Sequence, residues 1–218
     1  MKNDKILANV LSAQIISSVT PPLAKEFGLD DTHKCMGIFT SDNDDIGFLA
    51  MDDATKKANV QVVYSGSMYA GGANANSLLA GELFAAIAGP DVSEVRAGME
   101  AVLDFFNNGI HFVTCNEDSS IFYLAYTVSR VGTYFSKEYG IKPGCAMAYC
   151  VAPPLESVLA ADAALKSADV EMVAFWKPPT NTNFGGALFT GTQSDCTSAC
   201  SAYGQAVQSV ADNHIWLV

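Results

Sequence analysis

Asp52-Asp53-Ala54-Thr55-Lys56-Lys57-Ala58-Asn59-Val60-Gln61-Val62-Val63 returns 110 residues later as Asp162-Ala163-Ala164-Leu165-Lys166-Ser167-Ala168-Asp169-Val170-Glu171-Met172-Val173. Asp, Ala, Lys, Ala, Val and Val recur in register, and Asn59/Asp169 and Gln61/Glu171 are near matches. One such echo can arise by chance, but repeated element order around it cannot be dismissed that way, because a repeat redefines the whole architecture. Working outward, each half opens with a β-branched or aromatic strand-like run, at 10–19 and 121–129. A short helix follows each run. The first has Thr20 at the N-cap position, Pro21 and Pro22 at its opening and Gly28 as its stop; the second runs from Thr133 to Gly140.

Apolar strands come next at 35–39 and 147–151, then the helices that carry the echo, 45–59 and 154–169. Strands at 60–64 and 170–176 lead into loops, 65–81 and 177–186. Strands at 83–88 and 187–190 then lead to closing helices over 92–107 and 194–212, the second with Asp195 in its first turn. The order β-α-β-α-β-β-α occurs twice. The sequence therefore predicts an α/β protein, an α+β sandwich duplicated in tandem, with domains at 1–108 and 109–218.

The net charge is −11, from 12 Lys+Arg against 23 Asp+Glu, which disfavours nucleic-acid backbones and anionic membrane surfaces. Half of the residues are apolar and 16% are charged, which excludes a disordered chain, and no apolar run reaches membrane-spanning length. The opening residues lack a secretory pattern. Six cysteines at 35, 115, 145, 150, 196 and 200 show no zinc spacing, so free thiols in a reducing cytoplasm are expected.

Two segments stand out as functional. Ser41-Asp42-Asn43-Asp44-Asp45 puts three carboxylates at a helix start, where one suffices for capping. A calcium loop counted from Asp42 fails at position five, where Ile46 has no ligand atom. Helix capping and a small-cation site both stay open. The loops are the second feature: 65–81 carries Tyr69, Gly71, Gly72 and Asn74, and its counterpart Trp176, Pro178, Asn181 and two adjacent prolines. Glycine gives the first a permissive backbone, and proline stiffens the second. No Gly-x-Ser-x-Gly elbow or His-Glu-x-x-His motif is present.

The helix-to-strand signature at 162–170 resembles that of bacterial microcompartment shell domains. Two such domains with a permuted element order are similar to the trimer-forming shell class. Ala148-Tyr149-Cys150-Val151-Ala152-Pro153-Pro154-Leu155-Glu156, Val62-Val63-Tyr64 with Tyr69-Ala70-Gly71, and Ser41 to Asp45 resemble its ethanolamine-utilization members. The resemblance covers nearly the whole chain. It implies a structural protein, not an enzyme and without a cofactor or metal of its own, that forms a homotrimeric, pseudohexameric tile beside other shell proteins.

It further implies a central pore gated by the two loops, admitting metabolites or a cobalamin-type cofactor in transit. It implies ethanolamine in a small pore, with Asp44, Asp45 and Glu82 at the ammonium and Phe112 with Thr182, Asn183 and Phe184 from the other half. The rival readings are a metal-dependent hydrolase using Asp42–Asp45 and a soluble small-molecule sensor.

Overall fold

The computed structural model describes residues 2–69, 77–178 and 180–215. The chain opens with a short strand, β1 (Lys5–Leu7). The first repeat then runs β2 (Val10–Ile16), α1 (Pro21–Glu26), β3 (Cys35–Ser41), α2 (Asp44–Lys57), β4 (Gln61–Ser67), β5 (Leu83–Gly89) and α3 (Val92–Asn107). After β6 (His111–Thr114), the second repeat follows as β7 (Phe122–Val128), α4 (Thr133–Tyr139), β8 (Ala146–Ala152), α5 (Pro154–Ser167), β9 (Glu171–Trp176), β10 (Gly185–Gly191) and α6 (Gln193–Asp212).

Both repeats build the same antiparallel sheet, β2-β3-β5-β4 in one and β7-β8-β10-β9 in the other. β1 and β6, which periodicity does not predict, extend the second sheet to six strands in the order β1-β6-β7-β8-β10-β9. Strands of three and four residues are too short to show an alternating pattern. Backbone pairing holds β1: Thr114 N–H donates to Asp4 O at 3.0 Å and Asn3 N–H to Thr114 O at 2.7 Å.

The helices lie against these sheets by the usual amphipathic logic. α3 buries Val95, Met99, Val102 and Phe106, and its N-cap Asp91 accepts from Glu94 N–H. In the second repeat, Ala146, Ala148, Cys150 and Ala152 alternate along β8 and share a core with Cys196, Ala199 and Cys200 of α6. Side chains this small let α6 approach the sheet closely. All six cysteines are free thiols. Thr20 occupies the N-cap position of α1, but its side chain makes no capping hydrogen bond, unlike the expectation from its residue type.

The chain divides into two compact units whose boundaries cross the repeats. One holds the described residues of Met1–Ile6, His111–Val131 and Ser136–Val218; the other holds Leu7–Ile110 and the four residues Gly132–Phe135. The β1 residues Lys5 and Ile6 thus belong with the second sheet, and a strap from the second repeat belongs with the first. Asp52 of α2 holds that strap, accepting Gly132 N–H on Oδ2 at 2.8 Å and Phe135 N–H on Oδ1 at 3.1 Å. Thr133 N–H donates to Thr55 Oγ1 at 3.0 Å. A Cβ on Gly132 would lie 2.5 Å from the Asp52 carbonyl oxygen, so only glycine fits there.

Replacing Asp52 with Ala leaves two buried N–H donors without an acceptor, and unpaired buried donors cost about 1–3 kcal/mol each. D52A should therefore lower the unfolding free energy by about 2–4 kcal/mol in urea titrations. A loss below the error of the linear extrapolation would show that the strap is held by something else.

Candidate functional site

The acidic segment sorts its members by role. Asp42 accepts Asn9 N–H at 2.7 Å and Asn9 Nδ2 at 2.9 Å, which ties it to the chain ahead of β2. Asn43, not an aspartate, caps α2, with its Oδ1 accepting Ile46 N–H at 2.9 Å. Asp44 and Asp45 fill the first turn of α2 and are both buried. Asp44 is the unusual one. Ser67 at the end of β4 hydrogen-bonds its side chain, yet its Oδ1 is buried and accepts no hydrogen bond among the described residues.

Glu82 arrives beside Asp44 by backbone geometry. Its N–H donates to Ser41 O at 2.8 Å, and its carbonyl accepts Met68 N–H at 2.7 Å, so both ends of the 65–81 loop are tied here. The preceding Gly81 has φ +67°, and a Cβ there would sit 2.1 Å from Ser41 O. Glycine meets both demands at once.

The electrostatics follow from burial of like charges. Burial, then the Asp44 and Asp42 charges, push the Glu82 carboxyl up to about 7. Burial also raises Asp44, against the Ser67 hydrogen bond and the N–H groups of Asp44 and Asp45. Neither Asp44 nor Glu82 has a Lys or Arg in ion-pair range among the described residues. Two carboxyls whose proton affinity burial raises, one of them with an unused buried acceptor, can accept hydrogen bonds from a small cation with several N–H donors.

The second predicted set lies in the other unit. Phe112 is buried on β6, with ring centroids 5.6 Å from Phe122 and 6.0 Å from Phe184. Thr182 and Asn183 sit in a tight turn where Thr180 N–H donates to Phe184 O at 3.0 Å and Asn183 N–H to Thr180 O at 3.1 Å. Asn183 has φ +64°, a left-handed conformation that asparagine tolerates. By the register of β5 with β10, Asn183 is the counterpart of Gly81 and Phe184 of Glu82. That equivalence is not visible in the linear sequence, because the loops differ in length.

Of the loop residues, Tyr69 is exposed, while Gly71, Gly72 and Asn74 lie outside the described residues. Trp176 rests against Tyr149, 5.4 Å between centroids, and Tyr139, 6.1 Å. Pro178 packs near Gly185, and Asn181 is exposed. Thr40 Oγ1 donates to Leu79 O at 2.6 Å and anchors the far end of the first loop, a contact with no sequence signal. Among the described residues no three His, Cys, Asp or Glu groups converge as a metal site. None of the described helices is long and apolar enough to cross a membrane.

Comparison with known proteins agrees with this architecture. The family model described as "BMC domain" matches residues 35–116. The chain is 57% identical over 213 residues to the bacterial microcompartment shell protein EutL of Clostridium perfringens, with 98% of each chain covered. It is 42% identical to EutL of Salmonella typhimurium, with 97% of each covered. The crystal structure of the ethanolamine utilization protein EutL from Leptotrichia buccalis superposes with a TM-score of 0.96 at 50% identity over 100% of both chains. These relatives are named as structural shell proteins rather than enzymes, and the chain belongs to the EutL family of bacterial microcompartment shell proteins.

Proposed function

We propose that this chain forms a homotrimeric tile of an ethanolamine-utilization microcompartment shell, built from repeats 1–108 and 109–218, and that Asp44 and Glu82 bind the ammonium group of ethanolamine. The observation that carries the ligand assignment is the buried, unused Oδ1 of Asp44 beside a Glu82 whose carboxyl is pushed up to about 7 by burial and then by like charge. Ethanolamine stays cationic at neutral pH and brings three ammonium donors. Bound there, it satisfies Asp44 and favours the ionised form of Glu82. Asp45, at the same helix end, adds negative potential. Phe112, Thr182, Asn183 and Phe184 form the second candidate set, to be tested by their own substitutions.

The tile's neighbours are other shell proteins, and its central pore passes metabolites or a cobalamin-type cofactor. The gating segments are those around Tyr69, Gly71, Gly72 and Asn74, and around Trp176, Pro178 and Asn181. A hydrolase reading finds less support, because Asp42 is occupied by Asn9. A trimer of 23.0 kDa chains has a mass of about 69 kDa, which light scattering reads directly. A 23.0 kDa species at micromolar concentration overturns the tile.

Ligand binding is tested by calorimetry at two pH values. With Glu82 titrating at about 7, the ionised fraction rises roughly tenfold from pH 6 to pH 8, and ethanolamine affinity should rise with it. E82Q should flatten this dependence and weaken binding more than T182A. An affinity that does not change with pH in the wild type removes Glu82 from the site.

Stability gives an independent check. Glu82 is raised above its ordinary 4.5, so the folded protein holds the proton more tightly than the unfolded chain. Stability without ligand is then highest below pH 4.5 on this account and falls as pH rises toward 7. E82Q should stabilise the ligand-free protein at pH 8 by about 1–2 kcal/mol, a value halved for solvent screening, and should do nothing at pH 4. Thermal melts of both proteins at both pH values decide it.

A further inference from the structure

Phe39 and Met99 are buried in the core of the first repeat, and the second repeat puts thiols at both of their positions. Ser41 pairs with Leu83 as Ala152 pairs with Gly185, so Phe39 matches Cys150. The caps Asp91 and Thr192 correspond, so Met99 matches Cys200. The fold therefore needs no thiol at either place.

Cys150 Sγ and Cys200 Sγ lie 3.9 Å apart, where β8 faces α6. Four alanines surround Cys150 on its face of the sheet. Ala148 and Ala152 are two residues away along β8, and Ala125 and Ala187 lie directly across on the neighbouring strands. Side chains this small bring helix and sheet backbones close, which the short span of a disulfide demands. Turning one cysteine between staggered χ1 wells moves its sulfur by roughly 3 Å, enough to close the gap to a bond of about 2.05 Å. Among the described residues no three His, Cys, Asp or Glu groups converge as a metal site, so a cross-link rather than metal ligation is the chemistry open to the pair.

The two thiols are not alike. Cys150 is fully buried, and burial pushes its thiol well above the ordinary range, with the Cys200 hydrogen bond adding to it. Cys200 is 8% exposed, and the hydrogen bond from Cys150 lowers its thiol against the effect of burial. Thr127 Oγ1 also donates to Cys200 Sγ, at 3.5 Å. The exposed Thr197 donates in turn to Thr127 Oγ1 at 3.4 Å, so a polar file runs from solvent to the sulfur. Cys115 and Cys196 share this core, and burial above all pushes both up to about 11. Of the four, Cys200 alone is favoured as the thiolate, which is the nucleophilic form.

We infer that Cys150 and Cys200 are a peroxide-oxidisable dithiol that closes into a disulfide between β8 and α6. The Cys200 thiolate attacks one oxygen of hydrogen peroxide. The S–O bond forms, the O–O bond breaks, and the departing hydroxide takes up the proton that the thiol gave off and leaves as water. Cys150 sulfur then attacks Cys200 sulfur. The S–S bond forms, the S–O bond breaks, and the second hydroxide leaves with the Cys150 proton as water. Two thiols and one peroxide give one disulfide and two waters, with two electrons passing from sulfur to oxygen. A dithiol reductant returns them by exchange. Phe39 and Met99 allow no such bond in the first repeat, so the cross-link acts on the second repeat alone. It stands apart from the tile and from the ammonium site.

The test exposes the full chain to a modest excess of hydrogen peroxide. Thiol titration in denaturant should show that two of the six thiols are lost, and peptide mapping should join Cys150 to Cys200. Dithiothreitol should restore both thiols. The oxidised protein should melt higher by about 5–10 °C, because the bond closes a long loop of the unfolded chain. C150S should stop at the sulfenic acid of Cys200, which dimedone labels, and C200S should leave Cys150 unlabelled. A wild type that keeps all six thiols, or a bond that joins another pair, overturns the proposal. Dimedone on Cys150 in C200S overturns the assignment of Cys200 as the attacking sulfur. The wild-type titration and mapping decide the cross-link even where a serine variant does not fold.

Discussion

The carboxylate of Asp52 is the contact that fixes the segment Gly132–Phe135 to the first repeat. It is buried and accepts two backbone N–H groups from a segment eighty residues away in the chain. Burial drives its pKa up, the hydrogen bonds from Gly132 and Phe135 and the charge of Lys56 pull it down, and burial wins. Lys56 Nζ at 3.4 Å lies one turn along the same helix, so the charge is balanced locally. A buried ionisable group held this way is a weak source of net stability, but its two oxygens each accept from one specified donor, Gly132 N–H and Phe135 N–H. The strap is therefore fixed in register, and with it the start of α4.

The exchange of short segments explains why the duplication is legible while its unit boundaries are not. The helix-to-strand echo, the order of elements and the closing helices all follow from periodicity and residue type. β1 and β6 do not, since their identity as strands comes from pairing with each other and with β7. Nor does the strap: nothing in Gly132-Thr133-Tyr134-Phe135 announces that it leaves its own repeat. Only the glycine hints at a close approach, and a glycine ahead of a helix has many other uses.

The candidate site shows the same division. An acidic cluster at a helix start was visible, and both capping and cation binding were compatible with it. Asn43 does the capping and Asp42 takes the chain ahead of β2, which leaves Asp44 without that work. What places Glu82 beside it is Gly81, whose left-handed backbone lets the chain pass the Ser41 carbonyl. Backbone conformations of this kind depend on tertiary contacts, so sequence periodicity could not supply the pairing. The resemblance to a known family did.

Duplication within one chain also lets equivalent positions diverge, and here they diverge in chemistry. Asp44, Asp45 and Glu82 of the first repeat correspond to Pro154, Leu155 and Phe184 of the second. The buried acids are thus confined to the first repeat, where burial and then the Asp44 and Asp42 charges raise Glu82, and the position equivalent to Glu82 in the second repeat carries the aromatic packing of Phe184. The strap divides the same way, polar where it closes within the chain and proline-bearing where it meets solvent. The two repeats share a fold because their cores demand it, and they differ where one carries buried carboxyls and the other apolar and aromatic side chains.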